Sequence, residues 1–330
     1  AEVDERVFQG VRDSAKAHLL ADVEVGLFLS AGVDSGALLG LMRDAGQSRI
    51  RAITLAFDEF KDTPADEAPL AARMAEAYGA DHIVRRVNRA EFEAELPAFF
   101  AAMDQPSVDG VNVWFASKAA QEAGLKVVLC GAGGDELLAG YSTFRSIPRM
   151  VRLAGPLAAA PGLGKAMRKI IRGLKLAADN PKLAGALEYG GSYPGAYLLR
   201  RGLKLPFELS GAMEPDFLRE GMERLNPMAR IAAGMAPEPS HPLAKVAALE
   251  SAHYLRAQIL RDADWAGMAH SLEVRAPLVD YTLLQAVAGS VPSLTVGRGK
   301  RALASAPRLP LPEAVVNRPK SGFGVPTGAW

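Results

Sequence analysis

Val23-Glu24-Val25-Gly26-Leu27-Phe28-Leu29-Ser30-Ala31-Gly32-Val33-Asp34-Ser35-Gly36-Ala37-Leu38-Leu39 is the stretch that decides the fold. Val23 to Leu29 reads as a buried strand and Gly36 to Met42 as the start of a helix, which puts Ser30 to Ser35 at a strand-to-helix switch. Such a switch binds phosphate, because the unpaired N–H groups of a helix N-terminus point outward with the positive end of the dipole. Small residues at 31 and 32 let phosphate oxygens reach the backbone, and Ser30 and Ser35 add hydroxyl donors. Asp34 would repel a bare anion, so it reads as a ligand of a divalent cation that bridges carboxylate and phosphate. The alternative is a tight turn with Asp34 or Ser35 as helix cap.

A second loop, Gly131-Ala132-Gly133-Gly134-Asp135-Glu136, follows another strand-like run, Lys126 to Cys130, and turns into an apolar helix start at Leu137 and Leu138. Parallel strands put both loops on one sheet edge, where ligands bind in open α/β folds, so that Asp34 and Asp135 can face one Mg²⁺. Neither loop has the G-x-x-x-x-G-K-[ST] spacing, and Gly131-Ala132-Gly133 lacks the third glycine of the dinucleotide fingerprint because position 136 is Glu.

Working outward, residues 1–147 alternate strand-like runs (Val25 to Leu29, Arg51 to Phe57, His82 to Val87, Val127 to Cys130) with helical stretches, the pattern of a doubly wound parallel sheet. From 148 to 330 the composition shifts to Ala, Leu, Gly, Lys and Arg with scattered prolines, no strand pattern is visible, and a mainly helical half is expected. The basic stretch Lys165, Arg168, Lys169, Arg172, Lys175 has helical spacing and reads as a solvated face. A net charge of +1 over 330 residues argues against a nucleic-acid surface. No apolar run approaches the roughly 18 residues of a transmembrane helix and no signal peptide is visible, so the chain reads as cytoplasmic and without a membrane partner. A single cysteine excludes an internal disulfide, and Cys130, at the end of an apolar strand, reads as a buried structural thiol.

These segments together resemble the synthase domain of glutamine-hydrolysing asparagine synthetases, within the PP-loop ATP pyrophosphatase superfamily (adenine nucleotide α-hydrolase-like fold). The first loop is similar to the family's pyrophosphate-binding loop and the second to its G-E-G-x-D-E loop. Ile53 to Phe57 followed by Asp66-Glu67, Asp264 to Met268 leading into Glu273-Val274-Arg275-Ala276-Pro277-Leu278-Val279-Asp280, and Arg318-Pro319-Lys320-Ser321-Gly322-Phe323 are similar to three further family segments. The resemblance runs from about Val23 to Trp330 and implies one synthase domain with an ATP-binding core at 1–147. It implies an enzyme using ATP and Mg²⁺ that activates a carboxylate, aspartate or an analogue, as acyl-AMP with release of pyrophosphate, and then transfers it to ammonia or another amine. Lys320, Glu273 and Asp135 are the implied catalytic residues. Leu29, Ser30, Ala31, Gly32, Asp34, Ser35, Leu55, Phe57, Gly131, Gly133 and Lys300 are the implied ATP and pyrophosphate contacts, with adenine against the end of the second strand. Asp34 and Asp135 are the implied metal ligands. Arg275 and Asp280 read either as substrate contacts or as part of an ion-pair network that holds the helical half to the sheet.

Two departures bear on the reaction. Ala132 replaces the glutamate of G-E-G-x-D-E, which puts transfer of ammonia to an aspartyl adenylate in question and admits relatives that form β-lactams, amidate sugars or cyclise peptides. The chain begins Ala1-Glu2 with no Cys nucleophile, so a glutaminase half is not part of it; ammonia then comes from solution, a glutaminase domain or subunit, or the substrate itself. A homodimer is compatible with the resemblance. A PP-loop tRNA-modifying enzyme is disfavoured by the low charge and lone cysteine, and a degenerate nucleotide-binding module by retained Asp135, Glu136 and Lys320.

Overall fold

The computed structural model describes residues 2–107, 109–158, 162–174, 181–293, 297–319, 324–328 and 330. The chain divides into two compact units, one formed by Ala1–Gly140 with Leu255–Trp330 and the other by Tyr141–Tyr254.

The first unit is built on β1 (Val25–Phe28), β2 (Arg51–Phe57), β3 (Asp81–Val87), β4 (Val127–Leu129) and β5 (Glu273–Arg275). All pair in parallel, in the order β3-β2-β1-β4-β5. Helices α1 (Glu2–His18), α2 (Val33–Asp44), α3 (Ala68–Ala77), α4 (Arg89–Ala102), α5 (Gly110–Glu122) and the short α6 (Gly134–Leu137) connect and cover the strands. The two-residue period of a strand distributes the apolar side chains between two faces. Val25, Leu27, Leu29, Ala52, Val127 and Leu129 join a core with residues of α1, α2 and α3. Leu55 and Phe57 join Phe99, Trp114, Phe115 and Trp265 on the other face, where Ile53 and Val128 meet Ala119, Ala120 and Leu272. Strands buried on both faces read as continuous apolar runs, and this is the doubly wound α/β class expected from the sequence.

The chain order reverses between β1 and β4, since the strands on one side of β1 come earlier in the sequence than those beyond β4. Ligands in open α/β sheets bind outside the carboxyl ends of the strands at such a switch point, and here both Gly-rich loops leave the sheet at it.

One expectation is corrected. The helical stretch was expected to run from residue 148 to the C-terminus without a strand, but Leu255–Trp330 returns to the first unit and contributes β5. Three residues are too few to show a strand period, and β5 is recognisable only by its bonds to β4, with Glu273 N–H donating to Lys126 O and Cys130 N–H to Arg275 O.

The second unit is helical. A fully buried carboxylate organises its centre: Glu250 accepts from Thr143 Oγ1 at 2.5 Å and Arg201 Nε at 3.0 Å, and the Arg201 guanidinium lies 3.9 Å from the Tyr254 ring centre and 4.5 Å from that of Tyr141. Removing one partner of such a buried pair is strongly destabilising, because the other charge is left without compensation. Among the described residues no helix is long and apolar enough to cross a membrane.

Candidate active site

The first loop is drawn tight by its own hydroxyls. Ser35 Oγ accepts from Ser30 N–H at 3.0 Å and lies 2.9 Å from Ser30 Oγ, which in turn accepts from Gly32 N–H at 3.2 Å. The loop enters α2 through extended Gly32, and no side chain caps that end. The capping alternative for Asp34 and Ser35 is therefore not the one adopted, and the first turn of α2 starts without a side-chain cap. Ala31 and Leu29 are buried, anchoring the loop to the core. Thr54 Oγ1 donates to Leu29 O at 2.7 Å and ties the end of β1 to its neighbour.

The second loop reverses direction at Gly133, whose φ of +91° lies in the left-handed region that favours glycine. It packs directly on the first: a methyl group on Gly134 would stand 2.6 Å from Asp34 Oδ1. Gly131 lies against Asp34 and Ser35 as well. Small residues here are the condition for bringing the two carboxylates to one place.

That place is occupied by a cation. Lys300, at the start of the helix Arg298–Ala304, contacts Asp34 Oδ1 and lies 2.8 Å from Asp135 Oδ1. Burial pushes the Lys300 ammonium down, but the charges of Asp34 and Asp135 and their hydrogen bonds outweigh it and hold its pKa above the ordinary lysine value. Two carboxylates close enough to share one nitrogen would otherwise repel each other in a poorly hydrated setting.

A third carboxylate touches the loop. Glu67 Oε2 accepts from Ala31 N–H at 3.3 Å, while its Oε1 pairs with Arg318 Nη1 at 2.9 Å. An internal anion and its counter-ion thus stand at one of the amides a phosphate would use. Asp66-Glu67 and Arg318 are visible in the sequence, but no local spacing connects them.

Leu55 and Phe57 face the core with their side chains, so only their backbone is open to a ligand. β2 extends past its pairing with β1, which ends at Ile53, while pairing with β3 continues to Phe57. That leaves a stretch of strand edge beyond the end of β1.

Glu273, Arg275 and Asp280 do not join this cluster. Arg275 Nε donates to Glu273 Oε1 at 2.8 Å, and its Nη1 donates at 2.8 Å to both His18 O and Leu20 O at the end of α1. Asp280 caps the helix Tyr281–Ala288, accepting from Thr282 N–H at 2.7 Å and Leu283 N–H at 3.1 Å. The hydrogen bond from Thr282 is the main cause that holds its carboxyl below the usual range. These partners of Arg275 and Asp280 all belong to the first unit, where the two side chains tie β5 to the end of α1 and cap a helix. Lys320 lies outside the described residues.

Cys130, the last residue before the second loop, has its thiol pushed up to about 11 by burial, against which the hydrogen bond with the Ala132 backbone acts only in part. It stays protonated at neutral pH and is a poor nucleophile.

A doubly wound sheet with a tight serine-glycine loop, an opposed acidic loop and a shared lysine at its switch point is an α/β architecture of the PP-loop kind. The family model for asparagine synthase matches residues 6–330, and the chain belongs to that family. It is 33% identical over 97% of its length to a putative glutamine-hydrolysing asparagine synthetase of Mycobacterium tuberculosis, covering 48% of that protein. It is 28% identical over 98% of its length to asparagine synthetase 1 of Bacillus subtilis, covering 50%, and 28% identical over 89% to the amidase chyE of Penicillium rubens, covering 47%. The chain therefore spans about half the length of these relatives.

Proposed function

We propose that this chain is the synthase part of an ATP-dependent, AMP-forming amide ligase. The observation that carries the proposal is the Lys300 ammonium shared by Asp34 and Asp135 where the two Gly-rich loops meet. The carboxylate pair would take a divalent cation, whose charge together with that of Lys300 would offset a polyphosphate.

The two carboxylates fit Mg²⁺, which uses one or two protein carboxylates and completes its shell with water and substrate phosphates. Among the described residues no group of three or more His, Cys, Asp or Glu gathers around one point. Asp34 and Asp135 would hold it, and Mg²⁺ would offset the charge that develops as pyrophosphate leaves. The Ser30–Ser35 loop would grip the β and γ phosphates, and the free edge of β2 at Leu55 to Phe57 would meet adenine. With the distal phosphates held, a substrate carboxylate oxygen attacks the α phosphorus, the bond to the bridging oxygen breaks, and pyrophosphate departs with the electron pair. Nitrogen then attacks the acyl carbon and AMP leaves. Lys320 is assigned to the charge on the departing pyrophosphate through its place in the Arg318-to-Phe323 segment, and Glu273 to the acyl side.

The curated relatives are named as asparagine synthetases and amidases, which supports amide chemistry without fixing the substrate pair. Aspartate or an analogue is the proposed carboxylate. Ala132, where the related loop carries Glu, favours an amine other than ammonia. A glutaminase domain or subunit is the proposed partner if ammonia is used. The test is product analysis with ATP labelled at the α position: the proposal requires AMP and pyrophosphate, suppressed in Asp135→Ala, whereas ADP and phosphate would overturn it.

A further inference from the structure

Within the first unit a cavity of about 240 Å³ adjoins the second loop, with Cys130, the residue before Gly131, in its wall. Leu260, Met268 and Leu272 make the lining largely apolar, and among the described residues Asp264 and Glu273 are its only charged members. The Glu273 carboxylate already accepts from Arg275, while that of Asp264 is exposed and meets no cation among the described residues. A carboxylate at the mouth of an apolar space selects a ligand with a cationic head and an apolar body.

We infer that this cavity receives a protonated primary amine with an aliphatic chain of about four to six carbons, its ammonium toward Asp264 and its chain along Leu260, Met268 and Leu272. The inference rests on the ligase reading above and names the second substrate of that site. One water takes up about 30 Å³ of liquid, so ammonia would fill about an eighth of the space and leave the apolar wall wet. Each methylene removed from water adds about fourfold in affinity, which an alkyl amine gains and ammonium does not. Anionic and neutral ligands of the same shape lack the charge partner. In the reaction the bound ammonium gives one proton to solvent, its nitrogen lone pair forms the C–N bond, the acyl C–O bond breaks as AMP takes the electron pair, and the nitrogen's second proton passes to solvent to leave the neutral amide.

The test is calorimetric titration of the full chain with isoamylamine, ammonium chloride, isoamyl alcohol and isovalerate, repeated on Asp264→Asn and on Ala276→Leu, which enlarges another lining residue. Isoamylamine is expected to bind at least tenfold more tightly than ammonium and isovalerate. Asp264→Asn should reduce it to the level of the alcohol, and Ala276→Leu should weaken amine and alcohol together. Equal binding of ammonium, preference for isovalerate, no amine binding, or indifference to both substitutions would overturn the inference. Its failure is separable from that of the ligase reading. AMP formation without amine binding removes only the cavity assignment, and amine binding without AMP formation removes the ligase reading.

Discussion

Replacing Lys300 with methionine keeps most of the side-chain volume but leaves Asp34 and Asp135 without the ammonium they share. Two carboxylates about 5 Å apart at an effective dielectric near 20 repel by about 3 kcal/mol. Breaking a buried ion pair costs about 3–5 kcal/mol, and the partial exposure of these three side chains argues for the lower end. A loss of about 3 kcal/mol corresponds to a fall in Tm of roughly 6–12 °C for a unit of this size. A divalent cation should replace what the variant lacks, and at ten times its Kd would return about 1.4 kcal/mol. The assay is differential scanning calorimetry of wild type and Lys300→Met in EDTA and in millimolar Mg²⁺. The reasoning predicts a variant that melts earlier in EDTA and gains more from Mg²⁺ than wild type does. A variant as stable as wild type in EDTA, or one that gains nothing from Mg²⁺, would refute the idea that these carboxylates form one electrostatic site.

Glu67→Gln removes a negative charge from the Ala31 amide and releases Arg318, so ATP should bind about fivefold more tightly, on the order of 1 kcal/mol; weaker binding by equilibrium dialysis would mean that the carboxylate holds the loop in its binding form. Arg275→Met removes charged hydrogen bonds to two carbonyls at the end of α1 and should cost about 2 kcal/mol in denaturant unfolding while leaving the KM for the carboxylate unchanged. A raised KM at unchanged stability would restore its substrate reading. Burial pushes the His270 imidazole below its ordinary 6.5, against which the charge of Glu95 acts only in part. The folded protein therefore binds this proton less readily than the unfolded chain, and the associated stability is present above about pH 6.5 and lost as pH falls toward the folded value. The slope, up to about 1.4 kcal/mol per pH unit, should flatten below pH 6.5 in His270→Gln, and an unaltered slope would remove this residue from the account.

What the sequence discloses here follows from how locally each feature is encoded. The two loops are legible because glycines, serines and an aspartate at a strand-to-helix switch leave few conformations, and apolar runs flanking them announce β1, β2 and β4. Lys300 was assigned to the nucleotide site, but its bridging of the two carboxylates was not readable, since it meets Asp34 across 266 positions with no periodicity to mark the pairing. The contact of Arg318 with Glu67, across 251 positions, is hidden for the same reason. β5 escaped notice because its strand character lies in β4 and not in its own three residues. Arg275 shows the converse difficulty: its charge pattern is plain in the chain, yet only geometry gives its guanidinium to the carbonyls of α1.

The central claim is that this site cleaves ATP between its α and β phosphates in order to activate a carboxylate. ATP–pyrophosphate exchange in Mg²⁺, with aspartate tested against a panel of other carboxylic acids and Asp135→Ala as control, addresses it most directly. The account predicts exchange that depends on one class of carboxylate and disappears in the control. No exchange with any acid, or exchange that survives loss of Asp135, would contradict it.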